Sequence, residues 1–190
     1  MRKSCAVILL LVVFGLALPA KAQDEATKFE FYGGYDYIRA NVNSNVSGVP
    51  PSQSFNANGG GVQLEFNVNH LLGIVGDLTG YGVTDTSSNL VGWVMPYLIG
   101  PRINFRHGRV TPFAQSLFGG IAASNRIGGG PSQNSFAMTA GGGVDIRASR
   151  HFSIRPVQAE YLLTKIPDGL NDRQNNFRFG AGVVFQFGRT

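Results

Sequence analysis

Apolar side chains occupy every second position near the end of the chain. Residues 176–190 read NFRFGAGVVFQFGRT, so phenylalanine, alanine or valine alternates with arginine, glutamine, glycine or valine. A period of two residues belongs to a β-strand, in which successive side chains point to opposite faces. One face of this strand would carry four rings, those of Phe177, Phe179, Phe185 and Phe187. Such a face must contact either a hydrophobic core or lipid.

The same alternation recurs along the chain, and no segment has the 3.6-residue period of an amphipathic helix. We predict eight strands, at residues 28–38, 58–69, 72–82, 92–105, 110–122, 135–147, 152–163 and 176–188. The connections between them alternate in length. Long ones lie at 39–57, 83–91, 123–134 and 164–175, and short ones lie at Asn69–Leu71, Arg106–Arg109 and Ala148–His151. Short turns at one end and long loops at the other are typical of outer-membrane barrels. A soluble sandwich that packs the same rings against a second sheet is the alternative.

A six-residue pattern repeats in every second predicted strand and assigns the two faces. It reads GVQLEF at 61–66, GPRINF at 100–105, GVDIRA at 143–148 and GVVFQF at 182–187, with the glycines 39, 43 and 39 residues apart. The repeating unit is therefore a hairpin of about 40 residues. The pattern places Val62, Leu64, Phe66, Ile103, Phe105, Val144, Ile146, Val183, Phe185 and Phe187 on the outward face. It places Gln63, Glu65, Arg102, Asn104, Asp145, Arg147 and Gln186 on the inward face.

The first 22 residues have the layout of a secretory signal peptide. A basic start, Met1–Lys3, precedes the apolar run CAVILLLVVFGLALPA, and a small-x-small site follows at Ala20–Ala22. We predict a signal peptide at 1–22 and one barrel domain at 23–190; an N-terminal membrane anchor is the alternative. Removal of the peptide leaves 13 basic against 11 acidic residues, which gives no reason to expect nucleic-acid binding. The single cysteine, Cys5, lies in the peptide, so we predict no disulfide or thiolate metal site.

From about Lys28 to Phe187 the chain resembles the small OmpA-like and OmpX-like outer-membrane β-barrels. The resemblance rests on the strand pattern and on FRFGAGVVFQF at 177–187, which is similar to the terminal-strand signal read by the barrel assembly machinery. Its signal residues here would be Phe179, Val183, Phe185 and Phe187. Three further residues, 188–190, follow Phe187 and depart from the strict signal, which ends the chain. Full-length OmpA also carries a periplasmic peptidoglycan-binding domain, and the resemblance does not carry peptidoglycan anchoring over to this chain.

The resemblance implies an all-β fold, an eight-stranded antiparallel up-and-down transmembrane β-barrel that is integral to the bacterial outer membrane. The expected partners are outer-membrane lipid, the export pathway and the barrel assembly machinery, and the expected state is a monomer. No nucleic-acid partner is expected, and an external ligand of the loops is left open.

Alternation within the strands predicts a polar network in the barrel interior. The inward charged residues are Glu30, Asp36, Glu65, Asp77, Arg102, Asp145, Arg147, Arg155, Glu160 and Arg178. Acids and bases are mixed, as a buried network requires, and an eight-stranded barrel is just wide enough to be filled by side chains. We also expect inward Gly61, Gly100, Gly143 and Gly182 to leave room for arginine side chains, and a β-bulge near Pro156. A gated ion path is the alternative to a filled interior.

The sequence gives no catalytic, metal or cofactor site. The three histidines, His70, His107 and His151, all fall in the short connections, far from the long loops where a hydrolytic site would be expected. The glycine runs at 59–61 and 141–143 are followed by neither a helix nor Lys-Ser/Thr, so they are not phosphate loops. We therefore predict a non-enzymatic barrel that contributes to envelope structure. The alternatives are a surface protein that binds a ligand through its long loops and, third, a narrow channel.

Overall fold

The computed structural model describes residues 27–43, 52–85, 90–123, 133–165 and 174–189. The predicted signal peptide and the central parts of the four long loops lie outside these residues. The described chain forms eight β-strands: β1 (Thr27–Asn43), β2 (Ser52–Asn67), β3 (Leu72–Asp85), β4 (Leu90–Asn104), β5 (Val110–Ala123), β6 (Gln133–Arg147), β7 (Phe152–Thr164) and β8 (Gln174–Arg189). In this part of the chain no helix could cross a membrane.

The strands close into a single antiparallel barrel. Each strand pairs with the next one in sequence, and β8 pairs with β1, from Thr27 opposite Arg189 to Arg39 opposite Phe177. Every backbone pairing along the sheet is therefore satisfied by a neighbouring strand, and the sheet has no free edge. This confirms the predicted up-and-down, eight-stranded fold.

The alternation of side chains sorts them to the two faces of the barrel as predicted. On β2, Gln63 and Glu65 are buried, whereas Leu64 is 50% exposed on the outside. On β8, Phe185 and Phe187 are exposed, and Gln186 between them is buried. The exterior is thus apolar and the interior largely polar, the reverse of a soluble sandwich. Since an apolar exterior is stable only in lipid, the face of phenylalanine rings at the end of the chain is lipid-facing.

Most strands extend further toward the long loops than the sequence predicted. β1 continues to Asn43 instead of ending at residue 38, and β2 begins at Ser52 instead of residue 58. The pairing of these two strands runs in register to the pair Asn43 and Ser52. Backbone hydrogen bonds do not depend on side-chain polarity, so a hairpin can continue through residues whose Asn and Ser content indicates a loop.

A β-bulge interrupts β7 at the predicted place. Arg155 and Gln158 are both buried, while Pro156 and Val157 between them are exposed. The register between β7 and β8 shifts between Arg155 and Gln158. Proline has no N–H to donate to the ladder, and a bulge is one of the few strand positions that tolerate it. Because of this extra residue, Arg155 and Gln158 both point inward although they are three residues apart.

The barrel has two distinct ends, which we name by their connections. The turn end carries the short connections 68–71, 105–109 and 148–151, and the loop end carries the four long ones. Near the turn end, the ring of Phe29 stacks on that of Phe187, with centroids 5.7 Å apart, and contacts Phe66 at 5.4 Å. Three aromatic rings therefore cover the outside of the barrel where β1 and β8 close it, as in an aromatic girdle.

Candidate functional site

The barrel interior holds most of the charged residues that the sequence placed there. Nine of the ten charged residues predicted to face inward are buried: Glu30, Asp36, Glu65, Asp77, Arg102, Asp145, Arg155, Glu160 and Arg178. Charged groups can be kept out of water at this level only when each one has a hydrogen-bonded or oppositely charged partner.

Arg178 on β8 is the centre of one cluster. Its Nη2 lies 2.7 Å from Asp77 Oδ2 on β3 and 2.6 Å from Glu160 Oε2 on β7. The carboxylate of Asp36 is more distant, with Oδ1 3.8 Å from Nε of the same arginine. Because β3 is three strands from β8 around the barrel, the contact between Arg178 and Asp77 spans the interior.

Arg102 and Arg155 form a second cluster nearer the turn end. Arg102 pairs with Glu65 at 2.7 Å, and Arg155 binds both carboxylate oxygens of Asp145, at 2.7 and 2.9 Å. A single acceptor, Oε1 of Gln63, receives hydrogen bonds from Arg102 Nη2 at 2.6 Å and from Arg155 Nη1 at 2.7 Å. Arg155 reaches from β7 to β2, so this cluster also spans the interior.

Two glutamines join the clusters into one network. Gln63 donates from Nε2 to Asp77 Oδ2 at 2.7 Å, which connects the second cluster to the first. Gln115 accepts from Arg102 Nε at 2.7 Å and donates to Glu160. We call the nine buried charged residues together with Gln63 and Gln115 the interior network.

Arg106, in the connection between β4 and β5, was not predicted as an interior residue. Its Nη2 lies 2.9 Å from Glu30 Oε1 and 2.9 Å from Asn67 Oδ1, and Nη1 donates to the carbonyl of His70. The side chain therefore covers the turn end of the interior. Extending the inward alternation of Arg102 and Asn104 by two residues would have identified it, although the residue lies in a predicted turn.

Arg147 does not join the interior network, contrary to the prediction. It has the inward phase of Asp145 but is only half-buried, and its side chain forms no hydrogen bond or ion pair with the described residues. The reason is its position as the last residue of β6, where the barrel opens toward solvent.

An apolar layer that was not predicted from the sequence lies between the network and the loop end. Its buried members include Ile38, Ala57, Tyr81, Leu117, Ile121, Ala137 and Leu162. On β7, Leu162 follows the network residue Glu160 at the next inward position, and Thr164 then hydrogen-bonds to Gln174 at 3.0 Å. The alternation along each strand places these residues inside, but apolar residues of a membrane barrel are readily predicted to face lipid.

The inward glycines accommodate aromatic rings and backbone rather than arginines, which corrects the prediction. A Cβ at Gly182 would lie 2.7 Å from the ring of Tyr32, and one at Gly143 would lie 2.8 Å from the ring of Phe113. Gly61 faces Asp36 and Thr79, and Gly100 faces the backbone of Ser116 and Leu117.

The rings in turn support the arginines. The guanidinium carbon of Arg155 lies 4.5 Å from the ring centre of Tyr32 and 4.4 Å from that of Phe113, and Arg102 lies 4.2 Å from Phe113. Such cation–π contacts are stronger when both groups are desolvated. The glycines thus admit the rings, and the rings hold the arginines against their carboxylates.

Within the described ranges, no three His, Cys, Asp or Glu side chains are grouped so as to hold a metal ion. His70, His107 and His151 all lie in the short connections, as predicted. On the outer face, the predicted signal residues Phe179, Phe185 and Phe187 are exposed, and Val183 is half-buried among them.

Comparisons with known proteins agree with this architecture. The sequence matches the outer membrane protein beta-barrel domain family over residues 8–185. The fold is similar to the crystal structure of Ail, the attachment invasion locus protein of Yersinia pestis, with 16% identity and a TM-score of 0.50; the match covers 84% of this chain and 99% of Ail. It is also similar to Neisserial surface protein A, with 19% identity, a TM-score of 0.53 and coverage of 83% and 97%.

At these identities the two structures support the fold alone. No curated protein matches the sequence. The family match spans most of the chain, and the closed barrel with its apolar exterior has the form that the family requires. The chain belongs to the outer membrane protein beta-barrel domain family and is an integral protein of the bacterial outer membrane.

Proposed function

We propose that this protein is a closed, non-conducting barrel that contributes to the structure of the outer-membrane envelope. The observation that carries the proposal is the pair of contacts that span the interior, from Arg178 to Asp77 and from Arg155 to Gln63. An ion moving along the barrel axis would have to separate these partners. Breaking a buried charged pair such as Arg178 and Asp77 costs about 3–5 kcal/mol. Breaking the hydrogen bond from Arg155 to the neutral amide of Gln63 adds a second, smaller barrier of about 1.5–3 kcal/mol.

The apolar layer opposes conduction in a second way. Leu117 and Leu162 are fully buried and pack with Ile38 and Ile121 on the loop side of the network. A hydrated ion would have to leave water to pass such a layer, and hydrophobic constrictions close pores by dewetting. A charged barrier and an apolar barrier therefore follow each other along one path.

The expected partners follow from the outer face. Phe179, Val183, Phe185 and Phe187 face lipid and form the strand that we expect the barrel assembly machinery to recognise after export. We propose a monomer, since each strand already pairs with its two neighbours and leaves no edge for a second copy. We propose no enzymatic activity, because the histidines lie at the turn end, away from the loop end where an external substrate would arrive.

Conductance measurements test the closed interior. The folded protein in planar lipid bilayers is expected to give no steady conductance, because side chains fill the interior. The variant Leu117→Ala/Leu162→Ala/Arg155→Ala/Arg178→Ala removes the apolar layer and both spanning contacts, and is expected to conduct. Folding is checked by the change in gel mobility that a folded barrel shows when the sample is boiled. Steady conductance of the unmodified protein in this folded form would refute the closed barrel. A deletion strain should in addition be more sensitive to detergent.

A second candidate function, recognition of an external ligand, is favoured by the β1–β2 hairpin. The two strands have 17 and 16 residues, and their pairing continues to Asn43 and Ser52. A strand needs only about 9–11 residues to cross a bilayer, so strands of this length can continue beyond the membrane toward Asn43 and Ser52. Ail and Neisserial surface protein A, which have the same fold, are named as an attachment protein and a surface protein.

Replacement of residues 44–51 by a short Asn-Gly turn separates the two functions. If the barrel acts only structurally, the variant should restore detergent resistance and leave surface adhesion as it was. Loss of adhesion with intact detergent resistance would assign the function to the loops instead.

A further inference from the structure

Charge is strongly segregated between the inside and the outside of the barrel. Every acidic residue whose side chain the structure describes is buried: Glu30, Asp36, Glu65, Asp77, Asp145 and Glu160. Apart from Arg106, which pairs with Glu30, the exposed or half-buried charges outside the interior network are all cations: Lys28, Arg39, Arg109, Arg147, Arg150 and Lys165. The described exterior is therefore a surface with positive charges alone.

Four of these six cations lie at the turn end. We name Lys28, Arg109, Arg147 and Arg150 the basic mouth. Lys28 lies at the start of β1, Arg109 and Arg147 are brought side by side by the hydrogen bond from the Arg147 amide to the Arg109 carbonyl at 2.7 Å, and Arg150 lies in the next connection. None of the four forms an ion pair with a carboxylate in the described part of the chain.

The phase of the strands directs two of these cations toward the barrel axis. Lys28 is two residues before buried Glu30, and Arg147 is two residues after buried Asp145. Since side chains two residues apart in a strand share a face, both continue the inward face beyond the closing side chain of Arg106. Arg109 lies in the turn before β5, where its carbonyl accepts from the Arg147 amide and so keeps it beside Arg147. The three cations surround the opening of the barrel, whereas Arg39 and Lys165 occupy outward positions at the loop end.

We propose that the basic mouth is a docking site for an acidic peptide segment of a periplasmic protein. The turn end faces the periplasm in outer-membrane barrels, so such a segment would approach along the axis. Unpaired cations spaced around one opening can bind several carboxylates of one extended peptide, and the weak contacts add together. Phospholipid head groups fit less well, because they lie outside the wall at the level of Phe29, Phe66 and Phe187. The proposal depends on the outer-membrane placement, not on a closed interior.

The site is tested with the protein folded in nanodiscs of zwitterionic phosphatidylcholine and a fluorescein-labelled hexaglutamate peptide. The expected result is binding that weakens as salt is raised, because the contacts are exposed ion pairs. The variant Lys28→Gln/Arg109→Gln/Arg147→Gln/Arg150→Gln should weaken binding about 10- to 100-fold. The matched control, Arg39→Gln/Lys165→Gln, also removes exposed cations and should bind as the unmodified protein does. A difference in gel mobility between unheated and boiled samples verifies that both variants are folded.

Three results would overturn the proposal. One is equal peptide affinity in the four-residue variant and the unmodified protein. Another is the absence of peptide binding together with a mouth-dependent attraction of phosphatidylglycerol vesicles, which would make the mouth a lipid-binding surface. The third is binding that is seen only after Asp24→Asn/Glu25→Gln, which would identify the chain's own acidic residues as the occupant.

Discussion

Arg178 on β8 reaches across the barrel to Asp77 on β3, and its Nη2 lies 2.7 Å from Oδ2 of that carboxylate. Glu160 binds the same nitrogen at 2.6 Å, and Asp36 is the more distant third acid. One guanidinium thus neutralises carboxylates from two other strands, and its removal would leave them buried without a counter-charge.

The first prediction concerns this cluster. Arg178→Leu should lower the free energy of unfolding by about 3–5 kcal/mol, because Asp77 and Glu160 lose their cation. Asp36→Asn should lower it by less than about 1 kcal/mol, because Arg178 keeps its two closer partners. Urea-induced unfolding in lipid vesicles, followed by the fluorescence of Trp93, measures both values. A larger effect of Asp36→Asn would contradict the order of distances.

The second prediction concerns Gln63, whose Oε1 accepts from both Arg102 and Arg155. Gln63→Leu should destabilise the barrel by at least about 3 kcal/mol, since two hydrogen bonds to charged donors are lost at once. Gln186→Leu is the matched control, because Gln186 is also buried and its side chain has no hydrogen bond to a described residue. Equal urea midpoints for the two variants would show that the shared acceptor contributes little.

The third prediction concerns the glycines of the seam between β1 and β8. A Cβ on Gly182 would lie 2.4 Å from the carbonyl oxygen of Gly33 and 2.6 Å from Cα of Gly34. Gly182→Ala should therefore cost about 1–3 kcal/mol and slow the closure of the barrel. Gly76→Ala, which meets no atom within 4 Å, should be neutral or stabilise by about 0.5 kcal/mol. Refolding yield and urea midpoint distinguish the two.

The fourth prediction separates stability from assembly in the last strand. Val183→Lys places a cation nearer the middle of the bilayer, where it costs about 2–4 kcal/mol, and should be worse than Phe187→Lys during refolding in vitro. In cells the order should reverse if the assembly machinery reads Phe187, so Phe187→Lys should reduce outer-membrane yield more. If Val183→Lys is worse in both settings, Phe187 is only a residue of the aromatic girdle.

The fifth prediction fixes the orientation of the barrel. The only native cysteine is Cys5, so single cysteines can be introduced in the folded region without interference. Lys165→Cys, exposed at the loop end, should react with an impermeant maleimide on intact cells. Arg150→Cys, exposed at the turn end, should react only after the outer membrane is permeabilised. The opposite labelling would mean that the long loops face the periplasm.

The sequence predicts the fold and the faces of the strands well because a lipid-facing barrel obeys a simple period. The polarity of Phe185, Gln186 and Phe187 is enough to predict which of them face lipid and which face inward. The bulge is predictable because Arg155 and Gln158, three residues apart, are both polar or charged. Strand ends are harder to predict, because the pairing of Asn43 with Ser52 depends on backbone hydrogen bonds and on the hairpin below it.

The candidate site is less predictable than the fold. The charged residues could be assigned to the interior one by one, but their partners depend on closure of the barrel, as with Arg178 and Asp77. The apolar character of Leu117 and Leu162 did not distinguish them from lipid-facing residues. Arg106 was not predicted because it lies in a connection, although its side chain covers the turn end of the interior. The ring of Phe113 between Gly143 and two arginines follows from close packing across strands, which no local pattern encodes.

The bulge at Pro156 and Val157 divides β7 into two parts that follow opposite alternation along the sequence. Toward the turn end, odd-numbered residues such as Arg155 face inward; toward the loop end, even-numbered residues such as Gln158 and Glu160 do. Between Arg155 and Gln158 the chain of β7 advances three residues while β8 advances only two, from Gly182 to Gly180. Loss of Pro156 or Val157 would make the strand regular and leave Arg155 and Glu160 both facing inward, because residues two apart in a strand share a face. Loss of a residue elsewhere, between Ser153 and Arg155 or between Glu160 and Leu162, would instead turn part of the strand from the interior to the lipid. The bulge is thus the one place in β7 where a deletion keeps every buried charge on its own side of the wall.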